Sequence, residues 1–260
     1  MPYVLIHILK IAAVFVGAMC ALNLLVFFIP HFWWRRDQNG DPACGLVIWV
    51  EPLRFMGIRW GEKSAALGLR RAGYAGEFLF WPWHASWQGT LLLPALRNKP
   101  LIEERAKELA LFLAYRRAER PDTPIYLMGY SAGGQVARRA LELLDASVQV
   151  DAAALLSSSF CPWADLRPAA KRVKGPLLVS SSLLDCWIGG VGTTILGNAD
   201  GWHGPAIGTL GYCGPKDAQI IQRRWWPGLL VLGLLGMHDW SLQPGFLQHF
   251  AARDLKITKD

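Results

Sequence analysis

The sequence lacks the features that mark several simple classes of protein. Its 260 residues contain no low-complexity tract and no internal repeat with a period of roughly 20 to 50 residues, which excludes a repeat architecture. Its cysteines fall into no zinc-binding pattern. Four of them follow the amino-terminal segment, and we expect each of these to be a lone buried thiol; they are Cys44, Cys161, Cys186 and Cys213. The length suits one large α/β domain with a full hydrophobic core.

Acidic residues are scarcer than basic ones. The 20 aspartate and glutamate residues stand against 27 lysine and arginine residues, which gives a formal net charge of +7. The basic residues occur mostly in pairs spread along the chain, a pattern typical of solvated helix faces with some attraction to anionic lipid head groups. No nucleic-acid-binding module accompanies them, and the thirteen tryptophans form no base-stacking motif. We therefore expect no nucleic-acid partner.

Charged residues are absent from one long apolar run, residues 11–29. About 20 apolar residues cross a bilayer as a helix, so this run is long enough to span one. The aromatic and arginine residues at 32–36 are typical of an interfacial belt. We interpret residues 1–36 as a single-pass, uncleaved membrane anchor with its flanks, joined by a polar linker, 37–43, to a domain over 44–260.

Two other interpretations of this run stay open. A cleaved signal peptide usually has an apolar core of about 7 to 15 residues followed by small residues, whereas this run is longer and ends in Pro30 and His31. A buried core helix is less consistent with the remaining chain, which already supplies the elements of a complete fold. Basic residues flank the run on both sides, Lys10 before it and Arg35 with Arg36 after it, so the positive-inside rule predicts no orientation.

Residues 129–133 form a Gly-Tyr-Ser-Ala-Gly motif between an apolar stretch and a helical pattern. The apolar stretch, 124–128, predicts a buried strand, and the apolar positions within 135–144 recur at the spacing of a helix. A Gly-x-Ser-x-Gly pattern in this context indicates a serine on a sharp turn between a strand and a helix. Ser131 would then present its hydroxyl to a substrate, with the amino end of the helix behind it.

Strands and helices alternate over the rest of the chain, which predicts an α/β fold with a mostly parallel sheet flanked by helices. The predicted strands lie at 44–50, 77–81, 124–128, 150–156, 176–180 and 228–235. Two of the predicted helices lie at 61–73 and 135–144. A third, long helix lies between them, and its apolar face is formed by Ile102, Ala106, Leu109 and Leu113. The glycine-rich stretch 187–222 predicts loops over or beside the site, with a short helix near 217–222.

Two titratable side chains follow predicted strands at the sheet edge that Ser131 also occupies. Asp185 comes a few residues after the strand at 176–180, and His238 follows the strand at 228–235. Because the carboxyl ends of parallel strands gather at one edge of a sheet, we expect the three residues to converge there. A serine hydroxyl is a weak nucleophile until a base takes its proton, and that base needs a third group to orient it.

Other residues compete for these roles. Asp165, after the preceding strand, is the alternative acid, but a strand followed by a short loop and an aspartate favours Asp185. His203 is the alternative base, although it precedes the last predicted strand, whereas the base should follow it. We interpret Asp239 as a surface residue, and His84 as a loop histidine rather than a residue that lines the pocket.

Over roughly residues 44–248, the chain resembles the α/β-hydrolase fold superfamily. It has the nucleophile elbow, a further glycine directly after it, and the serine, aspartate and histidine in the chain order of that family. The resemblance implies that Ser131 is the nucleophile, that His238 is the general base and then the general acid, and that Asp185 is the carboxylate that orients His238.

The resemblance also implies two backbone N–H donors for a developing oxyanion. One is the N–H of Ala132, and the other comes from the loop after the first strand. Many members of the family carry His-Gly in that loop, whereas this sequence has Glu-Pro-Leu-Arg at 51–54. Because Pro52 has no N–H, Leu53 is the candidate donor by position.

The sequence thus predicts a membrane-anchored serine hydrolase that cleaves esters through an acyl-enzyme intermediate. The anchor and the many aromatic residues suggest lipid-like ester substrates, and thioesters, amides and acyl transfer use the same triad. The rival interpretation is a non-catalytic module of the same fold that binds a partner or lipid at the membrane, and a signal-anchored peptidase is a third. No metal or organic cofactor is implied, because the triad needs none and no ligand cluster at metal spacing is present.

Overall fold

A six-stranded sheet forms the centre of the protein, and all of its strand pairs are parallel. The computed structural model describes residues 40–51, 54–55, 58–83 and 98–257, with scattered positions between 6 and 21. The strands along the chain are β1 (Leu46–Glu51), β2 (Arg54–Phe55), β3 (Ile58–Arg59), β4 (Glu77–Pro82), β5 (Ile125–Tyr130), β6 (Ala152–Leu156), β7 (Leu177–Ser181) and β8 (Ile220–Arg224). The sheet order is β4-β1-β5-β6-β7-β8, while β2 and β3 form a separate antiparallel pair.

The helices connect and cover these strands. They are α1 (Trp60–Arg71), α2 (Lys99–Glu119), α3 (Ala132–Leu143), α4 (Arg167–Ala170), α5 (Thr193–Leu196), α6 (Ile207–Leu210), α7 (Pro244–Phe246) and α8 (Ala252–Asp254). Two π-helical turns, Cys186–Gly192 and Leu247–Ala251, and three 3-10 turns, Pro42–Cys44, Pro227–Leu232 and Trp240–Leu242, complete the described elements.

Both faces of the sheet are buried, as β1 illustrates. Its alternate residues point in opposite directions, so that Ile48 packs into the core on one face and Trp49 into the core on the other. Helices α2 and α3 supply the first core, while α1 and the carboxyl-terminal segment 240–257 supply the second. A strand covered on both faces needs apolar residues at every position, which is why the central strands are continuous apolar runs in the sequence.

The structure confirms the α/β fold with a parallel sheet flanked by helices. The first five predicted strands are present, with ends that differ from the prediction by about two residues. The helices predicted around 61–73, 102–113 and 135–144 are α1, α2 and α3.

The prediction of the last strand was wrong. Residues 228–235 form a 3-10 turn and the coil after it, and the last strand of the sheet is β8, where a short helix was predicted. Pro227 begins the 3-10 turn and lacks an N–H for a sheet ladder, whereas Ile220 and Ile221 are β-branched residues that pair with β7. An edge strand needs less apolar surface than a central one, so the polar Gln222 and Arg223 did not prevent strand formation.

Most of the predicted membrane anchor and the linker residues up to 39 lie outside the described residues. Within the part of the chain that the structure describes, no helix has the length and apolar character needed to cross a membrane. The described cysteines are free thiols, as expected. The expectation that each is buried was wrong, because Cys161 is half-buried and three others are exposed; these are Cys44, Cys186 and Cys213.

Candidate active site

Ser131 lies on the turn between β5 and α3, at the carboxyl edge of the sheet. Its backbone has φ 51° and ψ −125°, a conformation that residues with a side chain rarely adopt and that costs about 1–3 kcal/mol. Two backbone hydrogen bonds to the neighbouring segment hold this geometry: the Ser131 N–H donates to the Leu156 carbonyl at 2.9 Å, and the Ser159 N–H donates to the Ser131 carbonyl at 3.0 Å. The serine that the motif predicted on a sharp turn is therefore on one.

The glycines on either side of Ser131 permit close approaches that no other residue would allow. A Cβ atom on Gly133 would lie 2.2 Å from the carbonyl oxygen of Val50, so α3 begins directly against the end of β1. A Cβ on Gly129 would lie 2.7 Å from the Gly133 carbonyl oxygen, across the turn itself. The tight turn and the close contact between helix and strand both require glycine here.

The structure brings the predicted serine, histidine and aspartate into one hydrogen-bonded chain. His238 Nε2 lies 3.0 Å from Ser131 Oγ, and His238 Nδ1 lies 2.7 Å from Asp185 Oδ2. The Asp185 carboxylate accepts a hydrogen bond from Nδ1–H, which leaves Nε2 free to accept the serine hydroxyl proton. Ser131 is 8% exposed and Asp185 is 2% exposed, so the carboxylate is sheltered while the hydroxyl keeps some access.

The electrostatic environment of His238 favours its protonated form. Burial lowers the pKa of the imidazole, but the negative charge of Asp185 and its hydrogen bond outweigh burial, and Asp239 adds to them. The pKa of His238 is therefore raised above its ordinary value of 6.5. A raised pKa makes the imidazole a stronger base toward the serine hydroxyl proton.

Asp185 is fixed by the π-helical turn that follows it. Its Oδ1 accepts the N–H of Gly189 at 2.9 Å, and its own N–H donates to the Ser182 carbonyl at 3.0 Å. A Cβ on Gly189 would lie 2.5 Å from Asp185 Oδ2, so this glycine makes room for the carboxylate. The Ser182 hydroxyl also donates to the Gly236 carbonyl, which joins the loop of Asp185 to the loop of His238.

Ser157 and Ser241 support the site and were missed in the sequence analysis. Ser157 follows β6 with φ 41°, its N–H donates to Ser180 Oγ at 3.0 Å, and its hydroxyl lies 2.8 Å from Ser241 Oγ. Ser241 is three residues after His238, so this hydrogen bond ties the His238 loop to the centre of the sheet. The run Ser157-Ser158-Ser159 after a predicted strand was the available signal, but its partners are distant in sequence.

Only part of the predicted oxyanion hole lies within the described residues. Ala132 is the first residue of α3, and the first N–H groups of a helix have no partner inside that helix. Its N–H therefore lies next to Ser131 at the amino end of α3, and its role as an oxyanion donor stays a prediction. Leu53, the predicted second donor, lies outside the described residues, and so does His84.

The alternative residues lie away from the triad. Asp165 is half-buried and pairs with Arg167, whose Nη2 lies 2.7 Å from Asp165 Oδ2. His203 is exposed, and its Nδ1 lies 3.3 Å from the Thr194 carbonyl oxygen. Neither residue is placed to replace Asp185 or His238.

Two loops beside the triad expose many apolar side chains, and we call this surface the apolar rim. One loop carries Asp185 and the other precedes His238; the rim comprises Leu183, Leu184, Trp187, Ile188, Val191, Ile195, Trp226, Leu230, Val231 and Leu232. The two loops meet at their bases, where the Trp225 N–H donates to the Ser181 carbonyl at 2.8 Å. Across both loops, 183–196 and 225–237, the buried Asp185 is the single charged residue.

The parallel sheet, the serine turn after β5 and the residues that meet it at the carboxyl edge together give the chain the α/β-hydrolase fold. No protein-family model and no curated protein matches the chain. Its structure is similar to that of a Trichoderma reesei cutinase bound to a phosphonate inhibitor, with 16% identity, a TM-score of 0.38, and coverage of 65% of this chain and 75% of the cutinase.

Two further solved structures are similar over more of this chain. A cold-adapted esterase from an Arctic intertidal metagenomic library has 12% identity and a TM-score of 0.46, over 85% of this chain and 86% of the esterase. The type II thioesterase YbtT of the yersiniabactin biosynthetic pathway has 16% identity and a TM-score of 0.39, over 86% of this chain and 96% of the thioesterase.

Proposed function

We propose that the protein is a serine hydrolase that cleaves carboxylic esters through an acyl-enzyme intermediate on Ser131. The observation that carries this proposal is the hydrogen-bonded chain from Ser131 through His238 to Asp185, with the serine on a strained turn at the amino end of α3. A strained turn and a sheltered carboxylate both cost stability, and they persist where a reaction needs a preorganised site.

In this mechanism, Ser131 Oγ attacks the ester carbonyl carbon while its proton moves to His238 Nε2. The oxyanion that forms accepts a hydrogen bond from the Ala132 N–H, and the positive end of α3 stabilises its charge. His238 then donates the proton to the alkoxide oxygen as the carbon–oxygen bond breaks. A water molecule attacks the acyl-enzyme, gives a proton to His238 and releases the acid, and the proton returns to Ser131.

The apolar rim supports lipid-like esters as the substrate class. Exposed tryptophan and aliphatic side chains on both loops of the triad would contact an acyl chain, or the lipid surface that holds it, as it approaches Ser131. Val231, which is 87% exposed, and Trp187 lie on different loops, so both loops contribute apolar side chains to the rim. Burial of such side chains contributes about 1.5–3 kcal/mol each.

Membrane association is part of this proposal. The uncharged run at 11–29 supports an anchor, and the aromatic and arginine residues at 32–36 support its position at a membrane surface. An anchored enzyme with an uncharged, apolar rim would meet substrates that are themselves dissolved in the bilayer.

The first test is reaction of the full chain, solubilised in detergent, with a fluorophosphonate probe. The probe phosphonylates an activated serine, so we expect the wild-type protein to be labelled and Ser131→Ala to lose the label completely. Ser64→Ala is the matched control, because Ser64 is a buried serine on α1 whose hydroxyl has no hydrogen-bond partner among the described residues.

Two outcomes would contradict the proposal. A folded wild-type protein that takes up no label would favour the non-catalytic alternative, a module of this fold that binds a partner or lipid. Labelling that survives in Ser131→Ala would assign the reactive serine elsewhere.

A further inference from the structure

Glu51 is a buried carboxyl group beside the triad that the proposed mechanism does not use. It is the last residue of β1, at the same carboxyl edge of the sheet as Ser131, and it is 1% exposed. Acidic side chains are rarely so buried unless their environment supplies partners, because transfer of a charge from water is unfavourable.

The partners of this carboxyl group are hydrogen-bond donors. The Gly61 N–H donates to Glu51 Oε1 at 2.6 Å, and the Trp49 indole N–H donates to Oε2 at 3.2 Å. The N–H of Glu62 donates as well. A carboxylate accepts at both oxygens, whereas a protonated carboxyl group must also donate, so this arrangement suits the ionised form. Gly61 and Glu62 lie in the first turn of α1, where the helix dipole also favours a negative charge.

The surroundings of Glu51 connect it to the triad on two sides. A Cβ on Gly61 would lie 3.0 Å from the Trp49 ring and 3.1 Å from Leu242, so this point of α1 packs against the 3-10 turn that begins two residues after His238. Tyr130, directly before Ser131, lies with its ring 5.3 Å from the His238 ring. Burial raises the pKa of Tyr130, and the negative charges of Asp239, Asp185 and Glu51 add to that effect.

We infer that Glu51 is a positioning residue for the proposed hydrolysis: its ionised carboxylate fastens α1 to the end of β1 and so holds the His238 loop against the nucleophile turn. This inference rests on the proposed function. Without the carboxylate, the Gly61 and Glu62 N–H groups lose a buried acceptor, and the contact between α1 and Leu242 loses its support.

The ionisation of Glu51 falls in a range of pH that can be tested. Burial, opposed by the Gly61 and Trp49 hydrogen bonds and helped by the charge of Glu62, raises the pKa of Glu51 to about 7. The titratable groups that face it are Glu62 on α1 and Tyr130 on β5, and Asp185 and Asp239 act on the same Tyr130. Glutamine imitates the protonated carboxyl group, so the wild-type protein should resemble Glu51→Gln at low pH and exceed it at high pH.

The experiment measures kcat/KM of the full chain for a short soluble ester from about pH 5 to about pH 9. We expect the ratio of wild type to Glu51→Gln to rise from about one at the acid end to about ten at the alkaline end, because a charged acceptor is replaced by a neutral one. Glu142→Gln is the matched control: it removes a mostly buried carboxylate that pairs with Arg138 at the far end of α3, and its ratio should not change with pH.

A second variant keeps the inference testable if Glu51→Gln does not fold. Trp49→Phe removes one donor to the carboxylate, which should raise the pKa of Glu51 and move the alkaline gain in activity to higher pH. A pH-independent ratio for Glu51→Gln, or an unchanged profile for Trp49→Phe, would overturn the inference while hydrolysis continues. Loss of all hydrolysis and of Ser131 labelling in the wild-type protein would instead remove the proposed function and this inference together.

Discussion

At the scale of single residues, the site combines a base and an acid whose environments differ. The Asp185 carboxylate is sheltered and fully engaged, with one oxygen on the Gly189 N–H and the other on His238 Nδ1. That charge and hydrogen bond outweigh the effect of burial and raise the pKa of His238 above 6.5. The proposed hydrolysis needs neutral His238, so the activity should rise as the pH increases through this raised pKa.

Asp185→Asn removes the negative charge of Asp185 and keeps a side chain of nearly the same size and shape. We expect kcat to fall about 10³- to 10⁴-fold, because an amide no longer selects the tautomer in which Nε2 accepts the serine proton. The pKa of His238 should also fall, since the carboxylate that raised it is gone, so the residual activity should persist to lower pH. Both effects are read from kcat/KM measured against pH.

Asp165→Asn is the control for this change, because Asp165 pairs with Arg167 on the surface. It should leave kcat and the pH profile unaltered. A large loss of kcat in Asp165→Asn, or a near-normal kcat in Asp185→Asn, would show that Asp185 is not the carboxylate that orients His238.

The buried Glu51 affects the stability of the folded protein in a pH-dependent way. Its pKa in the folded protein is raised from 4.5 to about 7, so its contribution to stability is complete below about pH 4.5 and is lost as the pH rises through about 7. The difference between these two pKa values corresponds to about 3 kcal/mol of unfolding free energy. Glu51 is therefore only partly ionised at neutral pH, and its ionisation there lowers the stability of the fold.

At the scale of elements, the site depends on how closely α3 approaches β1. Because a Cβ on Gly133 would lie 2.2 Å from the Val50 carbonyl oxygen, Gly133→Ala should push α3 away from β1 and displace Ser131 from His238. We expect the free energy of unfolding to fall by about 2–4 kcal/mol and fluorophosphonate labelling to slow at least about 100-fold.

Gly190→Ala is a suitable control for Gly133→Ala. The nearest atom to a Cβ on Gly190 is the Asp185 carbonyl oxygen at 3.6 Å, an ordinary contact. Chemical denaturation and the labelling rate should therefore change little. Equal effects of the two substitutions would show that the close approach of α3 to β1 does not govern the site.

At the scale of the whole molecule, the proposed anchor and the apolar rim should act together. We expect the full chain to float with vesicles of phosphatidylcholine and phosphatidylglycerol, and to hydrolyse a long-chain ester dissolved in them. Trp187→Ser combined with Val231→Ser should lower that hydrolysis about tenfold or more, because the rim loses apolar contact with the lipid. Flotation itself should persist, since the run at 11–29 supplies it.

A matched pair of substitutions controls for the loss of exposed apolar surface. Leu111 and Tyr115 are similarly exposed on α2, away from the loops of the triad. Leu111→Ser combined with Tyr115→Ser should not reduce hydrolysis of the vesicle-bound ester. Failure of the wild-type chain to float would count against the anchor, and equal losses in both pairs would count against the rim.

Some features follow from the sequence alone because they depend on local patterns. Continuous apolar runs at 44–50 and 124–128 predicted central parallel strands, since a strand covered on both faces must be apolar throughout. The glycines around Ser131 predicted the turn, because only they permit it. The positions of Ser131 and Asp185 after strands predicted that they converge, since parallel strands end at one edge of a sheet. His238 also meets them, although the strand predicted directly before it is absent and the last strand ends at Arg224.

Other features were decided by contacts between residues distant in sequence, and local patterns do not encode these. Residues 228–235 are as apolar as a buried strand, yet β8 occupies the place beside β7. Part of this apolar run is buried, and its other members, Leu230, Val231 and Leu232, belong to the exposed rim. The partners of Glu51 and the hydrogen bond between Ser157 and Ser241 likewise join segments that meet only in the folded protein. The sequence determined which residues could form the triad, and the tertiary structure decided what surrounds it, because burial and charge depend on neighbours that only folding brings together.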